Sequence, residues 1–317
     1  MTAESTPALA SVVIPTFSRK GSLGTVLEPV LGDPATGEVI VVVDGCRDGS
    51  FELLTEWSRQ DHRLKPLFQE NAGEARARQA GLEAATGDVV VFLDDDVIIT
   101  PGVITGHMAH HADGQRKLVL GYMPTRVDLP RRPGQVPTML YAQDYERMCI
   151  DYEAHPDHIL LHLWAGNLSL RRRDALEIGL VPSVRFGYHA DMQFGLACRE
   201  AGIHAVFDRE LRSTHIHSRS LRAFGRECRL SGQGRAYLCD MFPTLAPEID
   251  PSASWPRALV PLLRVVSSRW VRPVSARMAM GIAGAAGRMH LWPAETAAAR
   301  ALRQIEANYG FTQAAAV

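Results

Sequence analysis

The chain has 317 residues, enough for one large α/β domain or for one domain with a smaller appendage. Its composition (46% apolar, 22% charged, 7% aromatic) is that of a soluble globular protein, and 34 basic against 35 acidic side chains leave a formal net charge of −1. That balance excludes the basic excess of a nucleic-acid binder, and five scattered cysteines without a CxxC exclude a disulfide scaffold and point to reduced thiols.

The first residues, MTAESTPALASVVIP, lack a basic stretch followed by a long apolar core, so no signal peptide is expected. Residues 11–15 (SVVIP) read as a short buried strand, and 21–31 place apolar residues at helical spacing. Residues 38–44 (EVIVVVD) form a second strand, 51–60 a helix and 64–69 a weaker third strand. Residues 73–85 form a helix rich in good helix formers, and 88–93 (DVVVFL) a fourth strand. Unbroken Val and Ile runs, rather than alternation, mark strands covered on both faces, and helix-sized spacers imply βαβ units in a doubly wound, mostly parallel sheet.

Beyond residue 101 the pattern becomes mixed. Residues 117–123 read as a strand, 139–152 as a helix, and 160–171 as a strand crossing an irregular glycine turn. A helix follows over 190–201, then two short strands over 203–207 and 211–216. From residue 220 the chain is helical and punctuated by prolines, with no apolar run long enough to span a bilayer. The expected protein is soluble and cytoplasmic.

In open α/β sheets, ligands bind beyond the carboxyl ends of the strands. Two acidic signals sit there: Asp44 closes the second strand, and Asp94, Asp95 and Asp96 close the fourth. Three adjacent carboxylates repel one another unless a cation is present or they splay into water, and a hard divalent cation with oxygen ligands would resolve the repulsion. In an extended segment Asp94 and Asp96 would share one face and Asp95 the other. The first strand leads into PTFSRKGS, which is neither a GxGxxG fingerprint nor a P-loop, so a bound diphosphate would be neutralised by metal rather than by a helix N-terminus.

The order SVVIPTFSR, VVVDGCRDGS, NAGEARARQAGLEAATGDVVVFLDDDV, AGNLSLRRRDALEIGLV, HADMQFGLACREAGIHAVF and THIHS resembles family 2 glycosyltransferases of GT-A fold, over roughly residues 10–220. The resemblance implies a GT-A type α/β fold over 1–220, with 1–100 the nucleotide-binding half and 101–220 the acceptor and catalytic half. Residues 221–317 would be a helical extension. It also implies an inverting, hexosyl-type transferase. Pro15, Thr16 and Phe17 stand where the family lines the base and ribose pocket, with Arg19 near the phosphates. Asp44 matches the carboxylate that binds the nucleobase, although Gly45 replaces the acidic residue that often follows it. Asn71, Gly73 and Arg78 match the loop and helix edging the donor site, and Gly166 and Asn167 the turn under the donor sugar. Asp94 and Asp96 match the outer residues of the DxD motif, flanking Asp95. Asp94 would face the ribose or metal-bound water, and Asp96 the metal. Asp191 matches the catalytic base, with Ala190 in place of the usual preceding glutamate. His215 matches a third metal or diphosphate ligand, and His217 and His189 are further candidates.

The implied cofactor is Mn²⁺ or Mg²⁺ and the co-substrate a nucleoside diphosphate sugar, most often a UDP-sugar. The acceptor would be a glycan, a lipid-linked sugar, a natural product or a peptide, and nucleic acid is not among the partners. Taken alone, the aspartate triplet is also a solvated acidic turn, Asp191 a first-turn helix residue, and the His-x-His pair structural. A nucleotide-sugar-binding protein without transfer activity is a second reading. A sugar nucleotidyltransferase is a third, but it needs a glycine-rich, lysine-bearing loop that PTFSRKGS does not supply. Arg222, Arg226 and Arg229 recur at helical spacing, as a solvated face or as a basic surface toward an anionic ligand. The C-terminal helices are open to capping the acceptor side, forming a homodimer interface or lying against a membrane.

Overall fold

A computed structural model describes residues 9–181, 188–243, 249–253 and 256–314. The chain folds as two compact units: one made of Met1–Arg126, Tyr145–Ser183 and Asp191–Ile216, the other of Val127–Asp144, Val184–Ala190 and His217–Val317. Of the described residues, the helical unit thus takes in 127–144 and 188–190 besides the C-terminal stretch.

In the first unit the elements run β1 (Ala10–Thr16), α1 (Leu23–Gly32), β2 (Thr36–Asp44), α2 (Ser50–Trp57), β3 (Leu64–Gln69), α3 (Glu74–Ala84) and β4 (Val89–Leu93). They continue through β5 (Val97–Ile99), α4 (Val103–His110), β6 (Lys117–Tyr122), α5 (Val136–Ala154, whose first half belongs to the other unit), β7 (Asn167–Arg171), α6 (Arg172–Ile178), α7 (Ala190–Glu200) and β8 (His204–His215). The eight strands form one sheet in the order β3-β2-β1-β4-β7-β6-β8-β5. β3, β2, β1 and β4 pair in parallel, as do β6 and β8, while β7 and β5 pair antiparallel with their neighbours. The α/β class and its mostly parallel, helix-flanked sheet are as the sequence implied.

The valine runs explain why the sheet is covered on both sides. Val12, Ile14, Val39, Val41, Val43, Val91 and Leu93 point to one face, where Leu23, Leu27 and Val30 of α1, Leu54 of α2 and Ile104 of α4 pack. The alternate residues Val13, Ile40, Val42, Val90 and Phe92 point to the other, against Ala77 and Leu82 of α3 and Phe194 and Cys198 of α7. Each fully buried Val, Leu, Ile or Phe side chain contributes about 1.5–3 kcal/mol on burial. A strand with a polar face could not satisfy both layers.

Three sequence expectations need correction. Residues 160–171 are not one strand. Only Asn167–Arg171 pairs in the sheet, because the chain around residue 160 closes helical turns, with Leu161 N and His162 N both donating to His158 O. The two expected strands over 203–216 are one strand, β8. It pairs with β6 from His204 to Asp208, resumes at Arg212 opposite Tyr122, and pairs with β5 from Ser213 to His215, so residues 209–211 are absorbed as an irregularity. β5, α4 and α6 were not anticipated, since three to eight residues are too short for their periodicity to register.

The second unit holds α8 (Leu221–Met241), α9 (Val260–Val266), α10 (Arg272–Arg288) and α11 (Trp292–Ala314), with the first half of α5. Ser220 caps α8 by accepting a bond from Ala223 N at 3.2 Å. Val136, Leu140, Phe224, Cys228, Ala299 and Leu302 form its core. The buried carboxylate of Glu295 is matched by Arg131 at 2.6 Å, and that of Glu306 by Arg272 at 2.5 Å, as buried charges require. No helix among the described residues is long and apolar enough to cross a membrane.

Candidate active site

The carboxyl ends of β1, β2 and β4 lie side by side because β1 pairs in parallel with both neighbours. From them emerge the loop of residues 17–22, Asp44, and the aspartate triplet. All three aspartates find cations or donors within the protein. Asp94 accepts from Arg78 Nη2 at 2.5 Å, and its backbone N–H donates to Gly166 O at 3.1 Å. Asp95 accepts from Thr16 Oγ1 at 2.8 Å and Phe17 N at 3.3 Å, and lies 3.3 Å from Arg19 Nε. Asp96 takes Arg19 Nη2 on one oxygen at 2.8 Å and stands 3.2 Å from His215 Nε2 with the other.

The segment is therefore not extended, as expected from sequence, but a turn closed by Val97 N donating to Asp94 O at 3.1 Å. The turn sends Asp94 toward Arg78 and lets Asp95 and Asp96 share Arg19. Burial raises the Asp95 carboxyl above its ordinary range against the opposing bonds from Thr16 and Arg19.

Arg78 is the hub of the second cluster. Its guanidinium is buried, with Glu74 Oε1 at 2.9 Å, Asp94 at 2.5 Å and Asp191 Oδ1 at 3.6 Å. Asp191 sits in the first turn of α7, and its Oδ2 accepts from Ala165 N at 3.1 Å. Burial raises the Asp191 carboxyl, Arg78 pulls it down, and Asp94 pushes it up again; the net direction is upward. The side chain as a whole keeps 39% of its surface open.

Asp44 is nearly enclosed. Oδ1 accepts from Gln69 Nε2 at 2.7 Å and Ala72 N at 2.8 Å, and Oδ2 from Gly73 N at 2.9 Å. Asn71 Nδ2 donates to Asp44 O at 3.0 Å, which ties the β3–α3 loop to the end of β2. Gly45 has φ +76°, and a Cβ there would lie 2.4 Å from Asn71 N, so the residue after Asp44 is glycine for steric reasons. A Cβ at Gly166 would likewise lie 2.7 Å from Asp94 Oδ2 and 2.6 Å from Met123 Sδ. A side chain there would have to move the Asp94 carboxylate or the Met123 thioether.

Pro15, Thr16, Phe17, Arg19, Asp44, Asn71, Gly73, Arg78, Asp94, Asp95, Asp96, Gly166, Asp191 and His215 all belong to the first unit. Asn167 does too, but its side chain points into the core. Its Oδ1 meets His107 Nε2 at 2.9 Å and its Nδ2 donates to Leu211 O at 3.1 Å, so it supports the turn from below. His217 and His189 lie in the second unit, His217 stacked on Tyr141 at 4.6 Å and His189 Nε2 3.0 Å from Ser231 Oγ. Burial lowers His189 to about 3, so its ring is neutral. On α8, Arg222 and Arg226 are exposed and Arg229 is half-buried.

Asp96 and His215 present a carboxylate oxygen and an imidazole nitrogen close enough to share one ion, and that donor set suits a borderline divalent metal. Gln69 and Glu74 escaped the sequence reading. Gln69 closes β3 beside Asp44, in register with it, and Glu74 is four residues before Arg78 on α3. The strand-end rule and the i,i+4 rule would have found them.

Residues 11–179, more than half the chain, match the model of "Glycosyl transferase family 2". The chain belongs to glycosyl transferase family 2. Among similar proteins, a validoxylamine A glucosyltransferase from Streptomyces hygroscopicus subsp. limoneus is 27% identical over 275 residues, covering 78% of this chain and 59% of that protein. An undecaprenyl-phosphate 4-deoxy-4-formamido-L-arabinose transferase from Pectobacterium carotovorum is 38% identical over 112 residues, covering 33% and 34%. Three other curated relatives are matched over only 28%, 29% and 12% of their own lengths. A mannosyltransferase from Pyrobaculum calidifontis, solved in complex with GDP-Man and Mn²⁺, superposes with a TM-score of 0.60 at 16% identity, over 95% of this chain and 88% of that one. At that identity the likeness is one of fold, and the fold is GT-A.

Proposed function

We propose that the first unit transfers a sugar from a nucleoside diphosphate donor to a hydroxyl or similar nucleophile, with inversion at the anomeric carbon. The carrying observation is the placement of two carboxylates, Asp94 and Asp191, on one buried guanidinium, that of Arg78, at the carboxyl ends of the parallel strands. Family membership and the GT-A fold support the reading. The catalytic part would lie within residues 1–220, although 127–144 and 217–220 group with the helical unit, and 221–317 would be the helical extension.

Phe17, half exposed at the end of β1, and Asp44 with Gln69 at the ends of β2 and β3 would take the nucleoside. Arg19 reaches the aspartate turn and would contact the donor phosphates once they displace its carboxylate partners. Asp96 and His215, with Asp94 nearby, would hold a divalent ion. Such an ion, Mn²⁺ or Mg²⁺, supplies positive charge against the charge that gathers on the departing diphosphate. The imidazole favours Mn²⁺.

Asp191 would accept the acceptor's proton as the nucleophile attacks. Its raised carboxyl brings it nearer the pH at which a base both exists as the anion and binds the proton well. The Ala165 N–H bond to Oδ2 and Arg78 beside Oδ1 would hold the carboxylate in place. The acceptor would be a glycan, a lipid-linked sugar, a natural product or a peptide.

The test is to incubate the protein with Mn²⁺ and UDP- and GDP-sugars, following release of nucleoside diphosphate and donor binding by calorimetry. Metal-dependent release with at least one donor is expected. Binding without release under any acceptor would overturn the transfer reading, and no binding at all would overturn the donor site.

A further inference from the structure

The second unit carries a surface that the sugar chemistry does not use. On α10, the residues turned inward are small: Ala276, Ala279, Ala283 and Ala286 are buried. Those turned outward are large and apolar: Val274, Met278 and Ile282, spaced four apart on one helical face, with Met278 61% and Ile282 53% exposed. A helix whose only partner were the protein core would carry these the other way round. The pattern extends past both ends of α10, since Leu262 and Val265 on α9, Trp270 just before α10 (76% exposed) and Met289 just after it are exposed as well.

Charge on this stretch is of one sign. Between Asp250 and Glu295 the sequence contains six arginines and no acidic residue. Arg257, Arg264, Arg269, Arg277 and Arg288 are exposed, and none of these five pairs with a carboxylate among the described residues. Arg269 lies over the Trp270 ring at 4.3 Å, a pairing that puts a cation and an interfacial aromatic at the same level.

We infer that the outer face of α10, with the exposed apolar residues that flank it in the chain, docks on an anionic lipid bilayer, with its apolar residues entering the headgroup boundary and the arginines of this stretch meeting lipid phosphates. Two alternatives fit less well. In a symmetric dimer through this face, the same patch would meet itself, which sets arginines against arginines with no acidic residue to offset them. Spanning is excluded for the described helices, none of which is long and apolar enough, so the mode is lying on the surface. The inference is independent of the donor chemistry proposed above.

The test is co-sedimentation of the full chain with vesicles of phosphatidylcholine alone or mixed with phosphatidylglycerol, at low and high salt. Binding to the mixed vesicles at least about tenfold above the neutral ones, weakened by salt, is expected. The double variant Met278→Glu, Ile282→Glu, which alters only exposed positions, should lose that binding while keeping the wild-type circular dichroism and melting temperature. Arg264→Gln with Arg269→Gln should weaken it and reduce its salt dependence. Equal affinity for neutral vesicles, no affinity for either, or unchanged binding by the folded Met278→Glu, Ile282→Glu variant would overturn the inference. So would self-association abolished by that variant in a protein that ignores vesicles.

Discussion

Arg78 Nη1 lies 3.6 Å from an oxygen of Asp191 while Nη2 of the same guanidinium holds Asp94 at 2.5 Å. One buried cation thus acts on both the proposed base and the aspartate turn. Arg78 lowers the Asp191 carboxyl against burial and Asp94, so removing it should raise that group further. Arg78→Gln is expected to move the acidic limb of the pH–rate profile to higher pH and to lower turnover at neutral pH. An unmoved acidic limb in an active variant would separate Arg78 from the base.

Asp191→Asn keeps the size and most of the hydrogen bonding of the side chain but cannot take a proton. Transfer should fall by about 10² to 10⁴, the usual worth of a general base. Donor affinity by calorimetry should stay near that of the wild type, since Asp191 belongs to the acceptor side of this reading. Turnover close to wild type would dismiss Asp191 as the base.

Asp96 and His215 act as a pair in the metal proposal, and they should be separable from Asp191 by binding alone. Asp96→Ala should abolish the Mn²⁺ dependence of donor binding, and His215→Ala should weaken it, with Mn²⁺ affected more than Mg²⁺ because the imidazole is the ligand lost. Titration of donor with and without metal is the check. Metal dependence that survives both substitutions would place the ion elsewhere.

Gly45 offers a test of geometry against resemblance. Members of the family often carry an acidic residue there, but φ +76° and the 2.4 Å approach of Asn71 N to a Cβ leave it no space. Gly45→Asp is therefore expected to destabilise the protein by about 1–3 kcal/mol and to weaken nucleotide binding, not improve it. Thermal melts and donor titration would show this, and a tighter-binding variant of unchanged stability would contradict it.

Much of the site was legible because strand ends are legible. Asp44 and Asp94 follow unbroken apolar runs, and in a parallel sheet that places them at one edge whatever the loops do. What the loops do was not legible. The turn at Asp94–Asp96, the engagement of all three aspartates by Arg19, Arg78, Thr16 and His215, and the inward aim of Asn167 depend on contacts across large sequence separations. Periodicity reports only neighbours along the chain. The same limit hid α4, whose eight residues carry the buried His107.

His107 and His111 give the fold a pH dependence of its own. Both are buried, His107 between Ser169 Oγ and Asn167 Oδ1 at 2.9 Å each, and His111 against Ser169 Oγ at 2.8 Å. Burial lowers each to about 4, helped at His111 by the charges of His107 and Arg171 and opposed at His107 by the Asn167 bond. Unfolded, a histidine titrates near pH 6.5. Between those values the unfolded chain binds more protons than the folded one, so stability is complete above about pH 6.5 and declines as pH falls toward about 4. One such histidine accounts for about 3 kcal/mol over that window. Because Asn167 supports the turn beneath Asp94, the loss should reach the site before the sheet unfolds. Urea midpoints measured from about pH 7 down to about pH 4 should fall steadily, and His111→Leu should flatten the slope. A variant with the wild-type slope would show that the His111 ring does not govern it.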